Sequence, residues 1–128
     1  MPRLTLKKSE RLCSRKAIEE LYSKGQSFYS RNFKIIFLVQ KEISLYPCQV
    51  VFSVPKKIFK RAVDRNLLKR RMREAYRANK PEFYNQLTEK KTFLHLLAIY
   101  NTKEILSFEE IDKNIQQAIN DLVKKMNG

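Results

Sequence analysis

Cys48-Gln49-Val50-Val51-Phe52-Ser53-Val54-Pro55-Lys56-Lys57 runs through a short connection into Ala62-Val63-Asp64-Arg65-Asn66-Leu67-Leu68-Lys69-Arg70-Arg71-Met72-Arg73-Glu74. The first stretch is rich in β-branched and aromatic residues and stops at a proline, whose nitrogen cannot donate to a ladder; it predicts a strand over Cys48 to Val54. The second changes period. On a wheel of about 100° per residue, Arg70, Arg73 and Arg77 fall close to Asn66, with Lys69 and Arg65 on one flank and Leu68, Met72 and Ala75 on the reverse. This predicts a helix that starts between Arg61 and Asp64 and runs to about Asn79, with an apolar back docked on the domain and a front of guanidiniums facing outward. Arg71 falls at the edge of the docking side, so its head must snorkel or pair locally.

Upstream, Phe33 to Gln40 has the same β-forming character. The seven residues between the two runs include Pro47 and read as a turn joining an antiparallel pair. Alternation puts Phe33, Ile35, Phe37 and Val39 on one face, with Lys34, Ile36 and Leu38 on the other; Val50, Phe52 and Val54 likewise oppose Val51 and Ser53. One face is wholly apolar. The other is punctuated by Lys34 and Ser53 and is the candidate for a functional surface. A further short strand is expected near Ser27 to Tyr29. Before it, Ser14 is placed to cap a helix with an apolar stripe of Ala17, Ile18, Leu21 and Tyr22, closed at Gly25.

Downstream, Pro81 suits the first turn of a second, short helix through Leu87. Thr92 to Tyr100 is apolar at nearly every position, as a central strand covered on both faces should be. The last helix is signalled by a capping box, Ser107 with Glu110, and a staple, Leu106 with Ile111, ahead of the stripe Ile111, Ile115, Ala118, Ile119, Leu122 and Met126. The expected fold is α+β, a two-layer α/β sandwich in the order α-β-β-(β)-α-(α)-β-α. Its sheet has about four strands with helices packed on it. Residues 1–128 are expected to form a single domain, with residues 1–11, carrying Arg3, Lys7, Lys8 and Arg11, as a basic arm.

The formal net charge is +14 at a pI near 10.0. Residues 1–80 carry 21 basic and 6 acidic side chains, net +15, and residues 81–128 carry 6 and 7, net −1. Between Lys56 and Lys80 stand eleven Lys/Arg residues against Asp64 and Glu74 alone, so most of that charge lacks an acid within the window. A field of this sign and density calls for a polyanion, and arginines on one helix face can grip phosphates bidentately.

Enzymatic chemistry on protein side chains is not expected. His95, the sole histidine, sits in an apolar strand without a carboxylate neighbour and reads as structural; Cys13 and Cys48 lack the companions of a zinc or disulfide framework. Neither a signal peptide nor a long apolar run is present, and no Trp is available as an interfacial anchor, which predicts a cytoplasmic chain without membrane contact. A DNA-binding helix-turn-helix is disfavoured because a strand and Pro55, rather than a helix and tight turn, precede the basic helix.

Phe52-Ser53-Val54-Pro55-Lys56-Lys57 followed by Arg65-Asn66-Leu67-Leu68-Lys69-Arg70-Arg71-Met72-Arg73-Glu74 resembles the signature of the bacterial ribonuclease P protein component. That family carries a strand ending in Ser-Val-(Ser/Pro)-Lys-Lys and then an Arg-Asn-x-x-Lys-Arg-x-x-Arg helix. Arg11-Leu12, the first helix, Lys24-Gly25 and Phe33 also stand as in the family. The resemblance implies a protein subunit of the endoribonuclease ribonuclease P, which binds a catalytic RNA and the 5′ leader of precursor tRNA during 5′ maturation. It further implies that the RNA subunit carries out the phosphodiester hydrolysis, with Mg²⁺ bound chiefly by that RNA and no catalytic residue or complete metal site on the protein.

Carried across by position, RNA-subunit contacts fall on Lys56, Lys57, Arg65, Asn66, Lys69, Arg70, Arg73 and Arg77. The leader cleft falls on Ile18, Tyr22, Lys34, Ile36 and Ser53. Relatives commonly have aromatics where Ile18 and Ile36 stand, which shifts leader stacking towards Tyr22, with Phe28 or Tyr29 beside it. No DNA partner is expected, and the free protein is expected to be a monomer. The alternative is a ribosomal or general structured-RNA-binding protein without a catalytic RNA partner.

Overall fold

A computed structural model describes residues 10–41 and 46–127. The chain order is α1 (Arg15–Lys24), β1 (Gln26–Ser30), β2 (Phe33–Gln40), β3 (Cys48–Ser53), α2 (Ala62–Glu89), β4 (Phe93–Tyr100) and α3 (Phe108–Asn127). The architecture is α+β around a four-stranded sheet in the order β1-β2-β4-β3. β1 pairs antiparallel with β2, β2 antiparallel with β4, and β4 parallel with β3. The basic arm expected at the start lies mostly outside the described residues, as does the middle of the connection after β2.

The expected antiparallel pair of Phe33–Gln40 with Cys48–Val54 does not form. β4 inserts between them, with Ile36 opposite Leu97 and Leu97 opposite Val51. The reason is composition: Leu94, Leu96, Leu97 and Ala98 are all buried, so β4 needs cover on both faces and a strand on both sides. Strand parity is untouched by the reordering. Phe33, Ile35, Phe37, Cys48, Val50, Leu94, Leu96, Ala98 and Tyr100 form one face, packed against Leu68, Met72, Ala75 and Tyr76 of α2 and Ile111, Ile115 and Leu122 of α3. Ile36, Leu38, Val51, Leu97 and Ile99 form the other, packed against Leu12, Ala17, Ile18 and Leu21. The sandwich therefore carries α1 on one side and α2 with α3 on the other.

α1 is capped as its sequence indicates, with the Ala17 N–H donating to Ser14 Oγ at 3.2 Å. Gly25 closes it in an extended conformation, φ −70°, so a left-handed turn is not what requires the glycine. Space does: a Cβ there would run into the Leu21 carbonyl oxygen and lie 2.8 Å from Ile36 Cγ2. This close approach seats α1 on β2.

α2 is a single helix of 28 residues, about 42 Å long, and passes straight through Pro81. The separate short helix expected after Asn79 is thus the C-terminal third of α2. Pro81 donates nothing to the Arg77 carbonyl, yet Phe83 and Leu87 beyond it are fully buried and hold the helix on course. A second anchor is electrostatic. Lys80 Nζ lies 2.9 and 2.8 Å from the two carboxylate oxygens of buried Glu10, and Tyr84 Oη donates to Glu10 Oε2 at 2.6 Å. This ties the segment before α1 to the far end of α2.

α3 shows the full capping box, the Glu110 N–H donating to Ser107 Oγ at 3.2 Å and the Ser107 hydroxyl to Glu110 Oε1 at 3.1 Å. Cys48, the first residue of β3, is buried on the core face of the sheet, and burial pushes its thiol pKa up to about 12; Cys13 is exposed, and both are free.

Candidate nucleic-acid interface

The front of α2 is assembled from the apolar back outward. Leu68, Met72 and Ala75 are completely buried, which fixes the helix rotation and leaves Asn66, Arg70 and Arg73 exposed, with Lys69 and Arg77 half-buried beside them. Among the described residues, none of these cations has a carboxylate within ion-pair distance. Arg73 Nε makes a long contact of 3.4 Å to the Lys69 carbonyl of its own helix. Lys56 and Lys57, exposed just past β3, and Lys60 and Arg61 at the helix start continue the field.

Three cations of the basic window serve the fold. Arg65 Nη1 donates to the carbonyls of Phe59 and Lys60 at 2.8 and 2.7 Å, holding the loop that delivers the chain to α2, whose N-cap Arg61 has no side-chain cap. Arg71 Nη1 donates to the Leu106 carbonyl at 2.6 Å, the local pairing its wheel position requires, and docks α2 on the approach to α3. Lys80 is the partner of Glu10. Sequence reasoning saw no acid for Lys80 because Glu10 stands far upstream.

Beside this front runs a cleft of about 330 Å³, lined by Arg11, Leu12, Val51, Asn66, Lys69 and Arg73 among others. It exists because the segment before α1 lies along β3, the Leu12 N–H donating to the Val50 carbonyl at 2.8 Å. Arg11 thereby joins the face of α2. The signal in the sequence was a basic residue in an arm, with nothing to say where the arm lay.

The second surface is the sheet face on the α1 side. Register places Tyr29 opposite Lys34, Lys34 opposite Ile99, and Ile99 opposite Ser53, one row across all four strands. Lys34 Nζ sits 5.7 Å from the centroid of the Tyr29 ring. Tyr22 projects from α1 with 59% of its surface exposed, Ile18 is half-buried beneath it, and Ile36 is 5% exposed. Ile36 is therefore part of the floor under α1. The mixed face is real, and the predicted cleft residues divide into a floor, Ile36 and Ile18, and reachable groups, Tyr22, Lys34 and Ser53. His95 lies on the same side of the sheet, half-buried opposite Leu38 and Gln49; burial lowers its pKa below 6.5, partly offset by the Glu20 carboxylate.

A hard divalent cation needs several oxygen ligands, and the front of α2 offers the Asn66 amide with the exposed Glu74 carboxylate on its flank. Among the described residues no three His, Cys, Asp or Glu side chains cluster, and no helix is long and apolar enough to cross a membrane.

A profile of the Ribonuclease P family matches residues 6–125. The chain belongs to the ribonuclease P protein family. The ribonuclease P protein component of Porphyromonas gingivalis W83 is 30% identical over 118 residues, covering 92% of this chain and 86% of that one. The ribonuclease P protein component of Syntrophus aciditrophicus is 39% identical over 83 residues, covering 65% and 66%. Among solved structures, the ribonuclease P protein of Staphylococcus aureus superposes with a TM-score of 0.72 at 23% identity over 91% of this chain and 97% of its own. That of Thermotoga maritima gives 0.70 at 20% identity over 88% and 96%. These two share the α+β fold of this chain. RNA binding in tRNA processing is the work of the family, and a docked helix whose cationic front has no carboxylate partner among the described residues suits it.

Proposed function

We propose that this chain is the protein subunit of a ribonucleoprotein ribonuclease P, in which α2 grips the catalytic RNA and the α1 side of the sheet holds the single-stranded 5′ leader of precursor tRNA. The observation that carries the reading is the front of α2: Asn66, Arg70 and Arg73 are exposed, aligned and, among the described residues, without carboxylate partners, on a helix whose rotation is locked by a buried back. Such an array meets phosphates at fixed positions, as an RNA of defined shape requires and a flexible basic tail does not. Lys56, Lys57, Lys69 and Arg77 extend the contact. Arg65 contributes by holding the helix start, which makes it a positioning residue for Asn66.

The sheet surface lies on the opposite side of the sheet from the core under α2, and offers Tyr22 for stacking, Lys34 for a phosphate and the Ser53 hydroxyl for a hydrogen bond. In this reading the chain binds and orients, and hydrolysis is carried by the RNA subunit with its own Mg²⁺. The test is cleavage of precursor tRNA at low Mg²⁺. The purified chain alone should leave the substrate intact and should restore cleavage by the cognate RNA at Mg²⁺ concentrations where that RNA alone is slow. Absence of stimulation would falsify the proposal.

A further inference from the structure

Tyr29 stands on β1, the edge strand of the sheet, with 68% of its surface exposed, more than any other large hydrophobic side chain among the described residues. Burial does not explain its presence, since most of the ring touches solvent. Its neighbour across the ladder is Lys34, whose ammonium lies 5.7 Å from the ring centroid. The row Tyr29, Lys34, Ile99, Ser53 crosses four strands, three steps of about 4.8 Å each, and so spans roughly 14 Å on the α1 side. Ile36, one row along, has 5% of its surface exposed and presents no stacking face.

We propose that Tyr29 is a base-stacking residue for the precursor leader, with Lys34 beside it pairing with the adjoining phosphate, so that the leader's path runs out to the β1 edge of the sheet. This rests on the leader-binding reading of that face. Every base has a π-face, so an exposed ring gives affinity without sequence preference; the Lys34 ammonium lies over one face of the ring, which directs a base to the other face and the cation to the backbone phosphate beside it. Tyr22 and Tyr29 would then stack different nucleotides, Tyr22 from the helix and Tyr29 from the edge strand.

The experiment is equilibrium binding of precursor tRNA and of leaderless tRNA to holoenzyme reconstituted with the wild type, Tyr29→Phe, Tyr29→Ala and Tyr22→Ala. Tyr29→Ala should weaken leader-bearing substrate by about tenfold, towards the lower end of one base–aromatic stack, and leave leaderless tRNA unchanged. Tyr29→Phe should retain wild-type affinity, because stacking needs the ring and not the hydroxyl. If the wild type prefers leader-bearing substrate while Tyr29→Ala loses nothing, the assignment is overturned and the leader cleft stands without it. If Tyr29→Ala weakens both substrates equally, Tyr29 touches something other than the leader and the assignment is again overturned. A wild type that binds the two substrates alike overturns both the assignment and the reading beneath it.

Discussion

Glu10 and Lys80 show how a single side chain can hold two distant parts of the chain. Both are buried, and the pair is completed by the Tyr84 hydroxyl. Replacing Glu10 by Gln keeps the shape but leaves the Lys80 charge without its carboxylate, which should cost about 3–5 kcal/mol in urea denaturation. The double variant Glu10→Gln/Lys80→Met should recover much of that loss; a single variant as stable as wild type would show that the pair contributes nothing. His95 sets a pH dependence. Its pKa in the fold lies below its ordinary 6.5 because burial disfavours the charged ring. Its contribution to stability is therefore complete above 6.5 and is lost as pH falls through the depressed value. Urea midpoints measured down from about pH 7.5 to pH 5 should fall less steeply in His95→Gln than in wild type. The sequence placed His95 in an apolar strand and read it as buried; the strand is β4, and the ring is half-buried. The sequence could not show Glu10 meeting Lys80, because nothing local links positions so far apart.

α2 is where local rules and tertiary packing disagree. Pro81 ordinarily ends a helix, since it removes an N–H and crowds the preceding turn. Here Phe83 and Leu87 are buried beyond it, and their burial outweighs the lost hydrogen bond. Pro81→Ala should therefore stabilise the protein, by about 1–3 kcal/mol, read as a higher thermal midpoint; a lower midpoint would mean the proline sets the helix direction. The strands teach a related lesson. Parity along Phe33 to Gln40 and Cys48 to Ser53 was legible, and with it the surface bearing Lys34 and Ser53, because alternation depends on the backbone alone. Adjacency was not legible: closeness in sequence suggested a hairpin, whereas the apolar composition of β4 placed that strand between them. The capping box of α3 was the most transparent signal, since Ser107 and Glu110 act within one turn.

For the molecule as a whole, the charge divides as the sequence shows, a basic portion through Lys80 and a neutral remainder. The fold turns that portion into a patterned surface by sorting cations into those that bind its own carbonyls and carboxylates and those left to face a partner. Arg65, Arg71 and Lys80 belong to the first group, a division invisible on a helical wheel. Arg70 belongs to the second, as does Arg73 apart from its long Nε contact to the Lys69 carbonyl of its own helix, and replacing both by Ala should lower the salt dependence of RNA binding by roughly one to two units of log–log slope. An unchanged slope would mean that they carry charge without touching phosphate. The strand-like pairing of Arg11 and Leu12 with Val50 has a consequence for assembly. A sheet with two bare edges can add strands from further copies without limit. In this chain the β3 edge carries its own N-terminal segment at Val50, whose carbonyl is taken by the Leu12 N–H, so part of the template that a further strand would need on that edge is already used.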